Sequence, residues 1–129
     1  MKAKFELTGL DEYLDALLKA EKDITKISRE ALADVGSILQ SAMRSRVHDP
    51  EVQAAIQTRT PTREGDYNYV EVGVLYGPTP KDIFIKAIVI EFGSVHNAAH
   101  SFVRTGVRAE RSRITNMIRE RLRAARLVD

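Results

Sequence analysis

The sequence predicts a single domain that mixes helices with strands, and three observations predict it. Apolar residues recur at spacings of three and four in the N-terminal third and again near the C-terminus. Between them, residues 67–76 form an aromatic and β-branched run that alternates along the chain. The length of 129 residues and a hydrophobic content of 43% suffice for one modest core.

Taken in order, Phe5-Glu6-Leu7 alternates and is closed by Thr8-Gly9, which predicts a short strand or extended arm. Leu10, Leu14, Leu17 and Leu18 then share one helical face, with Asp11 and Glu12 favourably placed for the dipole of a first helix. The apolar set continues through Ile24, Ile27, Ala31, Val35, Ile38, Leu39 and Ala42, an amphipathic helix running to about Arg46 with Asp23 or Thr25 as its cap. No Gly or Pro separates the two patterns, so one long helix and a bent pair remain equally compatible. Gly36, inside the second pattern, costs about 1 kcal/mol relative to Ala and predicts a close backbone approach to another element.

Residues 48–66 are polar, rich in turn formers and without period, which predicts a long flexible loop ordered by a partner if at all. Within it, Val52, Ala54, Ala55 and Ile56 form an apolar island that fits a strand or a single helical turn. The run 67–76 places Val70, Val72, Val74 and Tyr76 on one face of a strand, and Gly77-Pro78-Thr79-Pro80 ends it. Residues 83–92 are nearly all apolar; periodicity does not separate strand from helix there, and either would be core. After a loop marked by Gly93-Ser94 and His96-Asn97, Val107, Ile114, Met117, Ile118, Leu122 and Ala125 set out a final amphipathic helix from about Thr105. No internal repeat or low-complexity tract is visible.

Composition narrows the function classes. Without cysteine there are no disulfides, thiolate metal sites or cysteine nucleophiles, which fits a protein made in a reducing cytosol. The N-terminus lacks the apolar run of a signal peptide, and no apolar stretch reaches the roughly 20 residues of a membrane span, so a soluble protein is expected. Net charge is +2, yet eight arginines lie between Arg104 and Arg126, opposed there only by Glu110 and Glu120. That asymmetry would steer the chain toward an acidic partner protein or nucleic acid.

Candidate chemistry is sparse. His96 and His100 are four apart, but that spacing makes a metal site only on a helix, and here, as with His48, solvated loop histidines are the better reading. Glu91 closes the apolar run Ile88-Val89-Ile90, where an unpaired acid would be costly to bury. A structural ion pair to Arg104 or another arginine fits it better than general acid–base work. The sequence holds no nucleophile elbow, phosphate-cradling glycine loop or zinc-protease motif, so no catalytic residue, cofactor, metal or small-molecule substrate is expected. The arginine-rich last helix has three readings: a solvated basic face, an interface with an acidic neighbour, and sequence-independent phosphate contact.

The order Phe5-Glu6-Leu7-Thr8-Gly9-Leu10, Ala31-Leu32-Ala33-Asp34-Val35, Val70-Glu71-Val72-Gly73-Val74, Glu91-Phe92-Gly93-Ser94 and Ser101-Phe102-Val103-Arg104-Thr105-Gly106 resembles the tail-completion or head–tail joining proteins of long-tailed phages. Those proteins carry a Glu-Phe-Gly-Thr-like motif and, about ten residues on, a Pro-Phe-hydrophobic-Arg-Pro-Ala segment. Here both prolines and the alanine of the latter are replaced. The resemblance covers nearly the whole chain and implies an α+β fold, with a small antiparallel β-sheet packed against a long N-terminal helix and a C-terminal helix. It also implies a virion protein, assembled in the bacterial host cytoplasm as a homo-hexameric ring between connector or stopper and tail-tube proteins. In that setting Phe92 and Phe102 would anchor the loop 93–101 into the core, Gly93 would let the chain turn sharply, and Glu91 would tie the turn through Arg104. The partner surfaces expected are the loop 50–66, with Arg59 and Arg63, and the helix face bearing Arg108, Arg111, Arg119 and Arg123. The alternative function is a small basic nucleic-acid-binding module using the same C-terminal arginines, and weak nucleic-acid contact is the further partner expected.

Overall fold

The computed structural model describes residues 2–6, 24–64 and 67–124. Its elements are β1 (Lys2–Glu6), α1 (Ile24–Arg44), α2 (Pro50–Ala55), β2 (Ile56–Thr58), β3 (Thr62–Glu64), β4 (Tyr67–Val74), α3 (Lys81–Phe92) and α4 (Val103–Ala124). The fold is α+β, with an antiparallel sheet organised around β4. The leucine pattern at Leu10, Leu14, Leu17 and Leu18, and the proposed cap Asp23, lie outside the described residues.

β4 is long enough to serve several partners. Its Tyr69 pairs with Glu6 of β1 on one edge and Thr62 of β3 on the other. Val72 likewise pairs with Ala3 of β1 and Thr58 of β2. β2 and β3 therefore share the edge opposite β1, bridged by the Arg59 N–H donating to the Glu71 carbonyl at 2.9 Å. The alternation of β4 places Val70, Val72 and Val74 in the core, while Glu71 points to the outer face. There Glu71 meets Lys2 at 2.8 Å and Arg59 at 3.8 Å. Lys2 chiefly, and then Arg59, hold the Glu71 carboxyl below its usual value against the opposing effect of burial.

The inner face of the sheet is covered by α1, whose Ala31, Leu32, Val35, Leu39, Ala42 and Met43 are all buried. Gly36 makes the approach possible: a Cβ there would lie 2.4 Å from Cγ2 of Thr58 in β2. α4 runs antiparallel to α1. Gly106 lies against Met43 near one end, and Arg121 pairs with Asp34 near the other. Ile114 and Ile118 complete the core from α4.

Three expectations are corrected. The segment 48–66 is not a long loop: its described part contains α2, β2 and β3. Asp49 caps α2, its Oδ1 accepting from the N–H groups of Glu51 at 3.0 Å and Val52 at 3.1 Å, and Pro50 occupies the first helical turn. The apolar island falls on both expected forms, a short helix carrying Val52 and a strand carrying Ile56, and both side chains are fully buried. Second, Tyr76 does not continue the inward face of the strand. β4 ends at Val74, and Tyr76 is exposed, its ring set edge-on to Phe84 with centroids 5.4 Å apart. Third, residues 83–92 belong to a helix, and that helix is not wholly core: within α3 only Ala87 and Glu91 are fully buried.

Candidate functional site

Helices α3 and α4 meet at a corner built on one carboxylate. Glu91 is fully buried, and its two oxygens accept from five donors. Oε1 takes the backbone N–H groups of Phe102 and Val103, both at 2.8 Å. Oε2 takes the Ser101 hydroxyl at 2.8 Å, the Arg104 N–H at 3.3 Å and Arg104 Nε at 3.2 Å. The first N–H groups of a helix have no partner inside it, and the dipole there favours negative charge. Glu91, the penultimate residue of α3, therefore caps α4 from another helix.

The capping is reciprocal. Carbonyls of the last turn of α3 also need donors. Arg104 Nη2 donates to the Glu91 carbonyl at 2.9 Å, the His100 N–H to Ile90 O at 2.7 Å and the Gly93 N–H to Val89 O at 2.7 Å. Gly93 adopts φ 77°, and a Cβ there would stand 2.8 Å from the Ala99 nitrogen. Glycine fits because the chain both turns left-handed and folds back onto itself. Burial alone would push the Glu91 carboxyl up; the hydrogen bonds from Val103, Ser101, Phe102 and Arg104 outweigh it and hold the carboxyl below its ordinary value. Every lone pair faces a donor of this chain, so Glu91 works as a lock between helices, with no face open to a substrate.

The structure thus brings Glu91, Gly93, Phe102 and Arg104 together. Phe102 is 0% exposed and is the largest fully buried side chain among the described residues. Phe92 departs from the expectation that both phenylalanines anchor the loop: it is 55% exposed. Its ring lies outside the core because Glu91, one position earlier on the helix, takes the inward direction. The Arg104 guanidinium lies over the Phe92 ring instead, 4.8 Å from its centroid.

Two helix faces around this corner are open. On α3, Ile85, Ile88 and Phe92 fall at spacings of three and four and are all exposed, with Val95 just beyond them and Tyr76 also exposed. These five are the exposed large hydrophobic residues among those described. Sequence reasoning missed this stripe because α3 is apolar on nearly every side, a pattern that usually marks a buried helix. On the other side of the helix, Lys86 reaches Glu51 at 2.8 Å and Asp49 at 3.2 Å, ties that raise its pKa, Glu51 foremost.

On α4 the arginines divide into two sets. Arg104 is tied to Glu91, Arg113 to Glu110 at 3.4 Å, and Arg121 to Asp34. Arg108, Arg111, Arg119 and Arg123 are exposed and have no carboxylate partner among the described residues. Arg59 leans on Glu71, and Arg63 lies on β3, so neither sits in a free loop. His48, His96 and His100 are exposed, and no group of three or more metal-binding side chains occurs among the described residues. No helix among them is long and apolar enough to cross a membrane. Comparison with family models, with curated proteins and with solved structures yields no match.

Proposed function

We propose that this chain is a structural virion protein of a tailed phage or prophage. It acts without catalysis at the head–tail junction or tail end, by ring-forming self-association and by contact with connector and tail-tube proteins. The order of sequence segments from Phe5 to Arg104 supports the phage reading. The observation that carries the assembly reading is the exposed stripe Ile85, Ile88 and Phe92 on α3. A contiguous apolar face rimmed by polar residues is the usual mark of a protein–protein contact, and this one sits on a helix that the described residues cover on one side only. The ring is hexameric, and the protein reaches the particle after synthesis in the host cytoplasm.

Two experiments test separate parts of this reading. The flanking genes decide the phage assignment: portal, capsid and tail-tube genes support it, and a metabolic operon sinks it. Electron microscopy and sedimentation of concentrated protein decide the assembly. Rings are expected from the wild type, and an Ile85→Ser, Ile88→Ser, Phe92→Ser variant should remain monomeric with a near-unchanged melting temperature. Rings that persist in that variant would move the interface away from α3.

A further inference from the structure

We propose that the open arginine row of α4 is a contact site for nucleic-acid phosphates, gripping the backbone of a duplex without reading its bases. The inference stands on the side chains of α4 and not on the virion reading. Arg108, Arg111, Arg119 and Arg123 are separated by three, eight and four residues, which keeps them on one side of the helix. At 1.5 Å of rise per residue the row spans roughly 22 Å, enough to follow a phosphate backbone for several nucleotides. The helix is held in place by α1 and by the Glu91 cap, so the row is preorganised.

The sorting of the arginines is what points to an external anion. Arg113 and Arg121 meet carboxylates of their own chain, Glu110 and Asp34, whereas Arg108, Arg111, Arg119 and Arg123 meet none among the described residues. All the basic residues of α4 are arginines, whose planar forks match phosphate oxygens two at a time. Between them on the same side lie exposed Ser112 and Asn116, further donors of the kind that contact phosphate. An acidic protein is the weaker fit, because specific protein interfaces bury an apolar centre and this side of α4 offers arginine, hydroxyl and amide groups beside Ala109, with one acid, Glu120, at its edge. α4 contains no aromatic residue, which removes base stacking and leaves the backbone as the recognised part.

The test is fluorescence polarisation of the full chain with a labelled duplex of about 24 base pairs, long enough to cover the row. Four phosphate contacts predict a slope of about −3.6 in log K against log salt, roughly a hundredfold weakening from about 50 to about 200 mM. Two unrelated duplex sequences should bind within about twofold of one another. Replacing Arg108, Arg111, Arg119 and Arg123 together by Gln should abolish binding. An R113Q/R121Q variant, which removes two of the three paired arginines and leaves the Glu91 corner intact, should keep it within a few-fold. Any of three results overturns the proposal: no duplex binding at low salt, a wild-type salt slope below about 1, or undiminished binding by the folded fourfold variant. Displacement of the duplex by polyglutamate at lower concentrations than by unlabelled duplex would reassign the row to an acidic protein. The salt slope is read on the wild type, so it decides the matter even if the fourfold variant fails to fold.

Discussion

Helices α3 and α4 share the Glu91 corner and differ in what they leave facing water. α4 follows the ordinary rule for a surface helix: Val103, Ile114 and Ile118 are buried, and the arginines project outward. α3 inverts it. Its inward positions include a carboxylate, Glu91, and its outward positions include Ile85, Ile88 and Phe92. The acid can sit inside because five donors from the start of α4 meet it, and the isoleucines remain outside because nothing else in the described chain reaches them. α4 thus turns its apolar side to the core and its charge to water, whereas α3 leaves an apolar stripe in water.

Two phenylalanines ten residues apart give the largest contrast. Phe102→Ala removes a fully buried aromatic side chain and should cost about 4 kcal/mol in urea unfolding. Phe92→Ala removes an exposed ring and its contact with Arg104 and should cost no more than about 1 kcal/mol. Equal losses from the two would refute the inside–outside assignment of this corner. Next in size is Glu91→Ala. It strands the Phe102 and Val103 N–H groups, and about 3 kcal/mol is expected from the unsatisfied donors together. A melting temperature unchanged by that substitution would show that α4 needs no cap from α3. Smaller again is Gly36→Ala, which gains about 1 kcal/mol of helix propensity. The new Cβ drives into Thr58, so a net loss of about 1–2 kcal/mol is expected by the same measurement.

Much of this arrangement was legible in the residues, for identifiable reasons. The helical spacing from Ile24 to Ala42, the alternation of Val70, Val72 and Val74, and the glycine in the α1 pattern each reflect one dominant force on a regular element. A buried acid at the end of an apolar run pointed to Glu91 and a basic partner, but an acid capping a helix ten residues later leaves no local pattern. In 48–66 the apolar island marked Val52 and Ile56, but the segment as a whole read as a loop because α2 rests on one aspartate cap and one buried residue, and β2 and β3 on an edge supplied by β4. The exposure of α3 escaped because hydrophobicity records what a side chain prefers, and the partner that satisfies it need not belong to the same chain.

The gentlest probe of the corner is pH. The folded-state pKa of Glu91 is depressed, since donors at the start of α4 favour its charged form by more than burial disfavours it. An unfolded glutamate titrates near about 4.3. Between that value and the lower folded one, the unfolded chain binds the extra proton, so stability rises with pH there. The contribution of Glu91 is therefore fully present above about pH 5 and is lost as pH falls through the folded pKa. Glu71 and Asp49 are depressed as well, by Lys2 and by the Val52 N–H foremost, so the wild-type acid limb sums several carboxylates. Glu91→Gln isolates one of them. It lowers stability at neutral pH, but its melting temperature should fall less steeply below pH 5 than that of the wild type. Parallel acid limbs in the two proteins would mean that the charge on Glu91 contributes nothing beyond the shape of its side chain, and that α4 is capped by geometry alone.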